Sequence, residues 1–64
     1  MSFDGVKVFS ATKAREREEL GERISDWIAQ YQHRIDVVDK VVRQSSDNEF
    51  HCLSILLFYT RKPD

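Results

Sequence analysis

The hydrophobic pattern is densest from Phe50 to Tyr59, a run of β-branched and aromatic residues with no glycine or proline. It reads as a strand. One side would carry His51, Leu53, Ile55, Leu57 and Tyr59, and the other Phe50, Cys52, Ser54, Leu56 and Phe58. Both sides are largely apolar, so both need cover. Upstream, Val6 to Phe9 predicts a short strand with Val6 and Val8 on one face. From Lys13 to Gln32 the period changes, with Leu20, Ile24, Trp27, Ile28 and Tyr31 recurring as one helical stripe. Ser10 and Thr12 are the available N-caps. A second long strand follows over Ile35–Gln44. Its alternation slips, because Ile35, Val37 and Val41 share one parity while Val38 and Val42 share the other. A β-bulge near Val38-Asp39 would restore it. Ser45 to Asn48 then supplies the turn of a hairpin into the last strand.

This order predicts an α+β fold, β-α-β-β, with one helix on a three-stranded sheet. The last strand is the most apolar and belongs in the middle, giving order 1-3-2 with antiparallel neighbours. Residues 1–64 form a single small domain, with 1–4 and 60–64 expected as loose ends. One stripe covers one face. The contiguous aliphatic set Leu53, Ile55 and Leu57, with Val6 and Val8, is the expected floor of the helix. That assignment leaves Phe9, Phe50, Leu56 and Phe58 on a free face, the expected oligomer interface.

Size sharpens the point. A 64-residue chain buries only roughly 60% of the surface its unfolded form exposes, and such domains usually need a supplement. A single cysteine cannot form an internal disulfide, and no Cys/His spacing suits zinc. Self-association is the remaining supplement. Hiding about 400 Å² of apolar surface is worth on the order of 10 kcal/mol before association costs. Net charge is −1, which gives no support to nucleic-acid binding by bulk charge. No apolar run approaches a membrane span. The leader is not of signal type, so a cytoplasmic setting with a reduced thiol is expected.

The candidate chemistry is sparse. His51 and Cys52 are adjacent on a strand and point to opposite faces, so they cannot pair. Cys52 reads as a small apolar residue, and Asp36 and Asp39 as charges that deter edge pairing. Arg15–Glu19 and Glu19–Arg23 are helix ion pairs at i,i+4. Towards its N-terminus the stripe gives way to Arg17 and Lys13, which either overhang the sheet or mark an anion site. Gly21 lies at the stripe's edge, on open surface or at a close approach. Trp27 and Tyr31 are core aromatics, with stacking on a planar ligand as the alternative. No catalytic or metal residue is predicted.

Two resemblances follow from these stretches. Val6 to Phe9, the charged helix and Phe50-His51-Cys52-Leu53-Ser54 together resemble a family of very short bacterial proteins, some described as sporulation-associated. That resemblance implies no biochemical activity. The element order resembles dodecin, a flavin-binding protein that forms a closed shell. Flavin is the one cofactor this would imply, stacked on a tryptophan of the strand after the helix, yet Ile35–Gln44 holds no aromatic residue. The expected function is therefore a non-enzymatic homo-oligomeric assembly protein. A carrier of a planar or anionic ligand and a docking module for another protein are the alternatives.

Overall fold

The computed structural model describes residues 2–46 and 51–63. Strand β1 (Gly5–Ala11) leads into helix α1 (Ala14–Tyr31), followed by β2 (Ile35–Ser46) and β3 (His51–Arg61). The sheet order is β1-β3-β2, and both pairings are antiparallel. The fold class, strand order and central position of the last strand are those expected from the apolar pattern. The expected bulge is present too. Val37 pairs with Tyr59 and Asp39 with Phe58, which leaves Val38 as the extra residue.

Register sorts the two faces. On the helix side of the sheet lie the rows Gly5–Tyr59–Val37, Lys7–Leu57–Lys40, Phe9–Ile55–Val42 and Ala11–Leu53–Gln44. On the other side lie Val6–Phe58–Asp39, Val8–Leu56–Val41 and Ser10–Ser54–Arg43. Leu53, Ile55 and Leu57 are under the helix as expected, but the assignment of β1 is reversed. Phe9 is 5% exposed and belongs to the core with Ala11, Leu20 and Leu57, while Val6 and Val8 are on the open side. The physical reason is volume. Phe9 fills the space between sheet and Trp27, meeting the indole edge-to-face at 6.1 Å. Lys7, which shares its parity, sits at the edge with its ammonium 5.5 Å from the Phe9 ring centroid.

The helix covers two strands of three. Its stripe packs through Ile24, Trp27 and Ile28 against the β1/β3 core. On β2, Val37 and Val42 keep much of their surface in solvent.

Both helix ends are secured from a distance. Lys13 occupies the N-cap position without a side-chain cap bond. Ser10 is still within β1, and its hydroxyl meets that of Ser54 at 3.0 Å. Arg17 instead donates to the Thr12 carbonyl and, at 3.2 Å, to the His51 carbonyl, tying the first turn to the start of β3. At the other end the last turn holds no basic residue. Lys62 Nζ donates to the Gln32 carbonyl at 2.7 Å and stands 3.6 Å from Asp36, placing a cation at the helix's negative end.

The expected loose ends make specific contacts. Asp4 N donates to the Tyr59 carbonyl at 2.8 Å, and Arg61 N donates to the Asp4 carboxylate at 2.6 Å. Phe3 meets Phe58 edge-to-face at 4.8 Å. Thr60 and Arg61 belong to β3, and Ser45 and Ser46 to β2. The rest of the expected turn, Asp47 and Asn48, lies outside the described residues, as does Phe50.

Candidate functional site

Two regions of the surface gather the side chains singled out by the sequence. The first is the open sheet face. Its centre is the row Val8–Leu56–Val41, flanked by Val6 and Phe58. Val8 is 52% exposed and Val6 43%, whereas Leu56 and Phe58 are half-buried by their neighbours. Phe3 covers part of Phe58, and Phe3, Val38, Val41 and Phe58 border a shallow dent of about 190 Å³. Polar positions sit towards one end, where Ser10, Ser54 and Arg43 form a row and Cys52 Sγ lies 3.8 Å from Ser54 Oγ. The register brings Leu56 and Phe58 together on this face and removes Phe9 from it.

The second region lies on the helix side, at the C-terminal end of α1. Trp27 stands at the centre of three aromatic rings. Its centroid is 5.2 Å from that of Tyr31 and 6.0 Å from that of Tyr59. Gly5 makes this possible. A Cβ at that position would lie 2.5 Å from Tyr59 Cζ, so only glycine lets the phenol lie across β1. The rings form part of the wall of a groove of about 780 Å³ whose other residues include Lys7, Arg34 and Arg61.

The four candidates for ligand contact therefore separate. Trp27 and Tyr31 meet in this groove. Arg17 is at the opposite end of the helix, engaged with two backbone carbonyls, and Lys13 is the N-cap residue there. Arg17 is thus a structural tie, and the cations of the groove are a different set. They come from β1, the α1–β2 connection and the end of β3, so no local motif joins them. Arg15 pairs with Glu19 at 3.4 Å as expected, on the solvent side. Arg23 stands with its guanidinium 6.0 Å from the Phe9 ring centroid. A Cβ at Gly21 would meet nothing within 4 Å, so the close-approach reading of that glycine is not met within the chain.

Among the described residues, no three His, Cys, Asp or Glu side chains gather as a metal site. No helix among them is long and apolar enough to cross a membrane. No family model, curated protein or solved structure matches the chain significantly.

Proposed function

We propose that this chain is a non-enzymatic assembly subunit that buries the open face of its sheet against a second copy of itself. The observation that carries this reading is the apolar row Val8–Leu56–Val41 with Val6 and Phe58 beside it, on a face that α1 does not reach. Exposed apolar surface of this continuity marks interaction sites. The distribution of charge favours a copy as the occupant. The same face carries Asp39 and Arg43 on either side of Val41 along β2. A twofold axis through Val41 would set each Asp39 against the Arg43 of the other copy, the self-complementarity an isologous contact requires.

Sedimentation velocity at micromolar concentration tests this. The wild type is expected to run as a dimer or larger, and Val8→Asp as a monomer with an unchanged far-ultraviolet circular dichroism spectrum. A wild type that is monomeric there sinks the reading. A Phe58→Asp variant that folds and assembles normally would relocate the interface to another surface.

A further inference from the structure

We infer that the groove at the C-terminal end of α1 binds a planar heteroaromatic phosphate, a ligand of the nucleotide class. The groove lies on the helix side of the sheet, so this inference stands apart from burial of the open face. Its volume, about 780 Å³, falls within the roughly 300–1,000 Å³ of small-molecule sites. Two kinds of chemistry meet in it. The first is a set of half-buried aromatic rings, Trp27, Tyr31 and Tyr59, held together by mutual contact. Their faces offer a stacking surface for a base.

The second is positive charge. Lys7, Arg34, Arg61 and Lys62 border the groove, four of the chain's ten lysines and arginines, with His33 beside them. No carboxylate is among the described residues that border it. Two acids that contact residues of the groove are engaged: Asp36 with the Lys62 ammonium at 3.6 Å, and Asp4 with the Arg61 backbone N–H. A chain of net charge −1 therefore concentrates cations beside its aromatic cluster. Several converging cations suit a phosphate chain better than a single carboxylate. Lys62 is committed to the helix end, which leaves Lys7, Arg34 and Arg61 as the groups to meet the phosphates.

Trp27 is the only tryptophan, so all indole emission comes from a residue that lines the groove. The experiment titrates the intact chain with ATP, adenosine and tripolyphosphate, read by Trp27 fluorescence excited at the red edge and by calorimetry. Saturable ATP binding is expected, with adenosine and tripolyphosphate each at least about tenfold weaker, a difference of about 1.4 kcal/mol. Arg34→Glu is expected to weaken ATP by a similar factor, and Val8→Asp to leave it unchanged. Tripolyphosphate binding as tightly as ATP would reduce the groove to a general polyanion patch and overturn the inference. Adenosine binding as tightly as ATP, or no binding of any of the three, would overturn it as well.

Discussion

The two faces of this sheet are built from similar apolar content but differ in relief. On the helix side β1 offers Gly5, Phe9 and Ala11, extremes of size, and the surface rises and falls to take Tyr59 at one point and Trp27 at another. On the open side it offers Val6, Val8 and Ser10, next to Phe58, Leu56 and Ser54. These are mostly mid-sized side chains in even rows. A face with relief fits one partner in one orientation, as an interior does. An even face accepts another even face, and its energy comes from area more than from interlocking shape. The first kind of face defines the fold of a single chain, and the second suits contact between chains.

The sharpest way to break this contrast is to truncate one residue on each side. Leu20→Ala, at a side chain 1% exposed, is expected to cost about 2–5 kcal/mol. A domain of this size has in total about 3–10 kcal/mol, so the variant should lose a large share of its stability, read as a clearly lower urea midpoint at room temperature. Val8→Ala is expected to lower the stability of the isolated chain by less than about 1 kcal/mol and to show its effect in association. Equal costs for the two would mean that the open face is as tightly packed as the covered one.

Gly5→Ala comes next. The new methyl displaces Tyr59 from its place across β1, at a cost of about 1–3 kcal/mol. Trp27 emission should shift, because the Tyr59 ring leaves its side. A variant with wild-type stability and emission would show that the covered face tolerates a smoother surface than its geometry implies. The smallest effect has the opposite sign. Gly21→Ala on the outer surface of α1 should stabilise the chain by about 1 kcal/mol, since a helix-interior glycine costs that much against alanine and the space is open. If it impairs assembly instead, the partner rests on the helix and not on the open face.

Much of the architecture was legible in the residues because local and long-range signals agreed. The change from helical to alternating period fixed the elements, and the slip between Val37 and Val41 pointed to the bulge. The face of β1 was not legible. Val6 and Val8 look like the inward pair beside a charged Lys7, and only the finished packing shows that Lys7 can lie at the edge above Phe9. The ties at the helix ends were not legible for a related reason. Ser10 and Thr12 are good local caps, yet the ties came from Arg17 reaching His51 and from Lys62 reaching Gln32. Such contacts have no sequence spacing to reveal them. The groove followed the same rule. Trp27 and Tyr31 could be paired by helical spacing, but Lys7, Arg34 and Arg61 reach it from three separate segments.

The extra residue in β2 has a consequence for how this chain tolerates change. Beyond Val38 every side chain of the strand is inverted relative to simple alternation, so Asp39, Val41 and Arg43 face outward and Val42 inward. Replacing Val38, itself partly exposed, leaves that phase untouched. Deleting it would join Val37 directly to Asp39 in a regular ladder against Tyr59 and Phe58, removing the bulge while Asp39, Val41 and Arg43 still face outward. At this position the added residue bends and twists the strand locally, and the faces on either side of it are held by the pairing with β3.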